Sequence, residues 1–222
     1  MGKGQFCEKL SGESCTILDE RCLRLDYPDK RCAMFSYYRD LTDVSNDTPP
    51  IAREVRENIL EPFLSNWKSY AKRKEPGRKD MTASPLEKEL RTVLRLHLTP
   101  LGVSVPETGR RLSVWENCKI NADGLATKED FPKSIFSFKT WVGTEQIRET
   151  FAYAYLAKTW LGQKGIRVYE IGLQKLDTKT RTLDSLVEIC KPYLDGVFYL
   201  TTVPYLDDLI EELKQLYSGG EL

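Results

Sequence analysis

From residue 84 to residue 217 the chain alternates between stretches with a helical apolar period and short runs with the composition of β-strands. No other feature of the sequence restricts the fold as strongly. Ser84-Pro85-Leu86-Glu87 reads as a helix start, with Ser as N-cap, Pro in the first turn and Glu at the third position. The helix continues through Leu90, Val93, Leu94 and His97 and stops near Pro100 and Gly102. Between 103 and 142 the period becomes that of strands, in VSV, RLSVW, CKINADGLA and SIFSFKTWV, separated by Pro, Gly and charge. EQIRETFAYAYLAKTWLG (145–162) returns to the helical period and ends at Gly162. Strand IRVYEIGL (166–173), helix LDSLVEICKPYL (183–194), strand GVFYLTT (196–202) and helix LDDLIEELKQLY (206–217) follow. The order helix, three strands, helix, strand, helix, strand, helix predicts an α/β (α+β) domain. Its central mixed sheet is flanked by helices, with an antiparallel strand group feeding a right-handed crossover.

Upstream, the segment from Pro50 to Glu75 carries Val55, Ile59, Leu60, Phe63, Leu64 and Trp67 at helical spacing, with Pro62 as a point of kinking or division. Residues 1–48 mix Cys, Tyr and charge with little period and close on the breaker run SNDTPP. The expected organisation is therefore a Cys-rich N-terminal segment, 1–48, and a main domain, 49–222.

Four of the six cysteines, Cys7, Cys15, Cys22 and Cys32, fall in that first segment. The N-terminus, MGKGQFCEKL, is polar and lacks the apolar stretch of a signal peptide, which points to the cytoplasm and to reduced thiols. Clustered thiolates there are candidates for a structural zinc or iron site that replaces a missing core. The spacing lacks a C-x2-C knuckle, so disulfides and ordinary buried thiols remain as alternatives. No apolar run approaches the roughly 18 residues of a membrane span, so a membrane partner is not expected.

The chemistry is narrowed by what is scarce. One histidine, His97, leaves little room for imidazole catalysis. Basic and acidic residues balance at 33 each, so any nucleic-acid footprint has to be local. Asp123 lies in KINADGLA, where Gly124 permits close backbone approach, and Lys139 closes SIFSFK just before a helix. A carboxylate and an ammonium at the ends of neighbouring strands suit metal-assisted phosphodiester hydrolysis. Asp ligates Mg²⁺, and Lys orients a water or faces the developing charge. The plainer reading makes Lys139 a solvated strand end and Asp123 a turn residue.

At this point the chain resembles the PD-(D/E)XK nuclease superfamily, especially type II restriction endonucleases. The resemblance covers residues 84–173 and rests on the element order, on Asp123 in the Asp position, and on Ser137-Phe138-Lys139 in the acid-x-Lys position. It implies a restriction-endonuclease-like core, Mg²⁺ as cofactor, and hydrolysis of double-stranded DNA by a homodimer. Some members with Ser in place of the acid recover a carboxylate from the following helix. Glu145 and Glu149 are the local candidates, although the family's usual offset reaches Ala152 or Tyr153. Glu149 is preferred because it shares a helical stripe with Ala152, Leu156 and Trp160, expected to face the sheet. Asp123, Lys139 and Glu149 are thus the expected catalytic set, with Asp123 and Glu149 on Mg²⁺. Glu87 or Glu89, on the preceding helix, is a candidate further acid.

Residues 66–80 supply Lys68, Lys72, Arg73, Lys74, Arg78 and Lys79 around Trp67 and Tyr70, a candidate DNA-phosphate contact or else a solvated helix end. Arg110 and Arg111 follow Gly109 in a turn that could reach a groove. Two other functions fit the same residues. One is a repair or end-processing nuclease of the same fold, and the other is a non-catalytic Cys-metal module that binds DNA.

Overall fold

The computed structural model describes residues 10–12, 14–15, 20–21, 33–71, 83–115, 118–160, 165–175 and 180–219. Three two-residue strands, β1 (Leu10–Ser11), β2 (Ser14–Cys15) and β3 (Glu20–Arg21), form a small antiparallel sheet. Helices α1 (Ala33–Thr42), α2 (Pro50–Ala71) and α3 (Ala83–Leu98) follow, the last extended by a 3-10 turn (Thr99–Leu101) that ends on Gly102 in the left-handed region. Then come β4 (Arg110–Trp115), β5 (Cys118–Ala122), β6 (Gly124–Lys128), β7 (Phe131–Val142), α4 (Thr144–Trp160), β8 (Arg167–Lys175), α5 (Thr180–Cys190), β9 (Gly196–Tyr199) and α6 (Leu206–Ser218).

The central sheet is mixed, in the order β6-β7-β8-β9, with β6 antiparallel to β7 and the rest parallel. Parallel neighbours need a crossover, and α4 and α5 supply it. Helices cover both faces, so β8 is apolar on both sides, as its sequence RVYEIGLQK suggests. On one face, Phe136, Phe138, Tyr169 and Ile171 pack with the apolar stripes of α2, α3 and α6. On the other, Ile135, Val168 and Val197 meet Ile147, Ala154 and Ala157 of α4 and Leu183 of α5.

Polar ties fix the helices to this frame. Both carboxylate oxygens of Asp207 on α6 accept the Ile51 and Ala52 N–H groups at 2.9 Å, capping α2 from the far end of the chain. Arg56, almost fully buried, donates to the carbonyls of Asp40 and Asp43 where α1 ends. Tyr217 and Ser134 share a hydrogen bond of 2.6 Å between α6 and β7.

The structure departs from the sequence expectations in four places. Ala33–Thr42 is helical inside the stretch read as lacking period, and its Leu41 enters the core. VSV forms no strand, since only Ser104 makes an isolated bridge, to Thr127. CKINADGLA is two strands in different sheets, because β5 pairs with β4 and β6 pairs with β7. Finally, α2 passes through Pro62 as a single helix. The first three share one cause. Short segments take their conformation from long-range partners that no local period reveals. Among the described residues, no helix is long and apolar enough to cross a membrane.

Candidate active site

Asp123 sits where the chain leaves the β4-β5 pair and enters the central sheet. The bend is held from three directions. Its Oδ2 accepts the Phe138 N–H at 2.9 Å, and its carbonyl accepts Arg91 Nη1 of α3 at 2.7 Å. Gly109 presses on the same bend, where a Cβ would come within 2.9 Å of the Ala122 carbonyl oxygen. Gly124 is required by packing, since a Cβ there would lie 2.7 Å from the Phe138 ring, which is buried in the core. Gly124→Ala should therefore destabilise the fold by about 1–3 kcal/mol through overpacking, read as a lower urea midpoint. An unchanged midpoint would mean that the ring yields freely.

Lys139 follows Phe138 on β7 and points to the opposite face, with Ser137, because side chains alternate along a strand. The hydrogen bond from Phe138 thus places the Asp123 carboxylate one residue from the lysine. Lys139 Nζ donates to Glu149 Oε2 at 2.9 Å, and Tyr153 OH donates to Glu149 Oε1 at 3.1 Å. The structure brings together all three residues expected from the sequence.

The reason given for Glu149 needs correction. The stripe of α4 that packs on the sheet is Ile147, Thr150, Ala154 and Ala157, whereas Ala152 is exposed. Glu149 lies on the flank of that stripe, half exposed, and reaches the site from the side. Glu145 is exposed and stays outside the described contacts of the site. Glu87 pairs with Arg91 at 3.4 Å, while Glu89 accepts from Asn58 of α2 at 2.6 Å.

Electrostatics follow from burial and these pairs. Burial raises the Asp123 carboxyl, against the opposing pull of the Phe138 N–H, Lys139 and Arg91. Burial also works against the Lys139 ammonium, but the hydrogen bond and charge of Glu149, with Asp123 and Glu170, outweigh it and lift the net value. Lys139 is therefore a cation at neutral pH and not a proton acceptor. Its hydrogen bond lowers Glu149.

Glu170 on β8 went unnoticed in the sequence. It is fully buried, and burial pushes its carboxyl up to about 7, with Thr150 and Lys139 opposing and Glu149 and Asp123 adding. A single charge inside the apolar run VYEIGL was the signal available. Arg91 was missed for a different reason: it is buried on α3, but an arginine among helical residues has no local pattern that distinguishes a buried one from a solvated one.

The chain matches no protein-family model and no curated protein.

Arg110 and Arg111 are exposed, and their strand partners Ala122 and Asn121 lead directly into Asp123. A groove of about 960 Å³ runs along α3, lined by Lys88, Arg91, Thr92, Arg95, Glu107 and Thr108, and its Arg91 is the residue that holds the Asp123 carbonyl. Lys72, Arg73, Lys74, Arg78 and Lys79 lie outside the described residues, and Lys68 falls on α2 with only its backbone described. Cys7, Cys22 and Cys32 also lie outside them. Cys15 is a free, half-buried thiol against the α2–α3 core. His97 is away from the site, where Lys214, Glu54, Glu211 and Asp207 are the charges that act on it.

Among the described residues, no three carboxylates, thiols or imidazoles stand close enough to hold a metal ion together. One or two carboxylates, completed by water and phosphate oxygens, is the usual protein share for Mg²⁺. The site fits that share: its donors are carboxylate oxygens, and those of Glu170 lack a hydrogen bond of good geometry.

Proposed function

We propose that this chain is a Mg²⁺-dependent endodeoxyribonuclease acting on double-stranded DNA, most like a type II site-specific restriction enzyme with a restriction-endonuclease-like core. The observation that carries the reading is the hydrogen bond of the Asp123 carboxylate to the residue adjoining Lys139. It joins a hard-cation ligand to a permanent ammonium at one end of the sheet. The run of α3, antiparallel strands, α4 and β8 supports the same reading, as do the exposed Arg110 and Arg111 beside Asp123.

In this proposal Asp123 would hold the metal. When bound, Mg²⁺ supplies Lewis acidity to a phosphoryl oxygen and acidifies a water. Lys139 would donate a hydrogen bond to the attacking water and face the negative charge that builds on the phosphate. Glu149, held by Tyr153, keeps the lysine aimed and charged. Arg91 fixes the backbone of Asp123 from α3. Lys88 lines the groove beside Arg91 and offers a phosphate contact that carries no sequence information, whereas Arg95 is paired with Glu107 of the same groove at 2.8 Å. Cutting both strands of a symmetric site calls for two copies about a two-fold axis.

Incubating the full chain with supercoiled plasmid tests the reading. Discrete linear fragments in Mg²⁺, abolished by EDTA, are the expected result. Smears or end trimming would reassign the site to repair or end processing. A gel shift with no cleavage in Mg²⁺ or Mn²⁺ would replace the nuclease by a binding module.

A further inference from the structure

Ser137 stands where the resemblance calls for an acid, two residues before Lys139 on the same face of β7. Directly opposite Ser137, on the parallel neighbour β8, is Glu170. Paired residues of adjacent strands project from the same face of a sheet. The pair one step earlier on that face, Ile135 and Val168, lies in the α4-side core and fixes which face this is. Glu170 thus brings a carboxylate to the face and level at which Ser137 lacks one.

Its surroundings are unlike those of a structural acid. Glu170 is fully buried and neither oxygen has a donor in good hydrogen-bond geometry; the Thr150 hydroxyl is close enough only to offset part of the effect of burial, and Ser137 Oγ has no partner. Buried carboxylates that only hold a fold together are saturated with donors. Asp195 is one such case here, accepting from the Val168 N–H at 2.7 Å and pairing with Arg167 and Lys158, each at 2.8 Å. Glu149 is closer to Asp195 in this respect, since both of its oxygens are engaged by Lys139 and Tyr153. Open acceptor oxygens facing the side of the sheet that bears Lys139, within electrostatic reach of Asp123, remain to be satisfied by a cation.

We propose that Glu170 and Asp123 together form the seat of a divalent cation, with β8 supplying the carboxylate that Ser137 does not. The nuclease reading enters only as the chemistry this cation serves. Glu149 is then a positioning residue that keeps Lys139 aimed.

Calorimetric titration of the full chain with Mn²⁺, without DNA, tests the seat directly. Wild type should bind one Mn²⁺ per chain. Glu170→Gln should weaken binding by roughly 10- to 100-fold or more, since even groups that only orient a metal ligand carry losses of that size. Glu149→Gln should stay within a few-fold of wild type. Circular dichroism verifies folding, and Glu170→Asp, which keeps the charge on a shorter arm, should lose affinity by an intermediate factor. Glu170→Gln binding Mn²⁺ like wild type overturns the proposal, as does wild type that binds none in the millimolar range. If Glu170→Gln does not fold, unchanged affinity in Glu170→Asp overturns it instead. The two readings fail separately. Mn²⁺ bound through Glu170 with no DNA cut removes the nuclease and keeps the seat. Mg²⁺-dependent cutting that Glu170→Gln leaves intact, together with unchanged Mn²⁺ affinity, removes the seat and keeps the nuclease.

Discussion

Replacing Lys139 with alanine should lower the rate of DNA cleavage by roughly 100- to 1000-fold, the usual loss when one preorganised donor to a developing charge is removed. The fold should hardly respond. Among the described residues the lysine pairs with a half-exposed glutamate, and a pair open to solvent on that side contributes about 1 kcal/mol. Losing the ammonium also relieves the burial that works against it. Denaturant midpoints should therefore agree with wild type while initial rates on plasmid collapse. Mn²⁺ affinity should persist, because the cation seat does not use the lysine. Lys139→Arg is not a neutral control, since a guanidinium fork cannot reproduce a point charge at the same depth. Because the Lys139 value is raised, the wild-type rate should show no rising limb from lysine deprotonation near neutral pH. A Lys139→Ala variant that cuts at the wild-type rate would remove this residue from the mechanism.

Glu170→Gln should stabilise the metal-free protein by about 3 kcal/mol at about pH 8 while having little effect below about pH 4. The folded-state carboxyl is raised from 4.5 to about 7, chiefly by burial. The folded chain therefore binds the proton more tightly than the unfolded chain does. That contribution is fully present below the unfolded value and is lost as pH rises through about 7. Glutamine cannot ionise, so it escapes the loss, and its amide can bond the hydroxyls of Ser137 and Thr150. Urea curves in EDTA at acid and at mildly alkaline pH measure the difference. The charges that modulate it are Lys139, which opposes the shift, and Glu149 and Asp123, which add to it. Mn²⁺ should narrow the gap at the higher pH, because wild type gains more than the variant from binding the ion. Equal stability of the two proteins at both pH values would mean that the carboxylate carries no desolvation penalty in the fold. A residue that weakens the metal-free fold and is relieved by a cation is the trade expected of a functional group.

Asp123 was legible as a charge that ends an apolar strand before a glycine, and Lys139 as a charge that interrupts one, although Lys139 lies inside β7, which runs on to Val142 before the helix begins at Thr144. Glu149 was legible as an acid at about the right distance along the next helix, although the helical phase assigned to it was wrong. A stripe of Ile, Thr, Ala and Ala is only weakly apolar, so the buried side of α4 does not stand out by period. The break of CKINADGLA into two sheets was not legible. Alternation tells which face a residue takes, not which strand will be its neighbour.

Taken alone, the sequence determined the alternation of helical and strand segments from 84 onward, the mixed α/β class, and the two charged residues, Asp123 and Lys139, that break apolar strand segments. Those are local properties, written in the period of side chains along the chain. Tertiary structure decided the rest: that Asp123 is bonded to the strand bearing Lys139, that Asp207 caps a helix from the other end of the chain, and that Glu170 stands beside Ser137. Each of these depends on which segments become neighbours. Neighbours are chosen by the burial of whole faces, a sum over many residues that no single stretch of sequence contains.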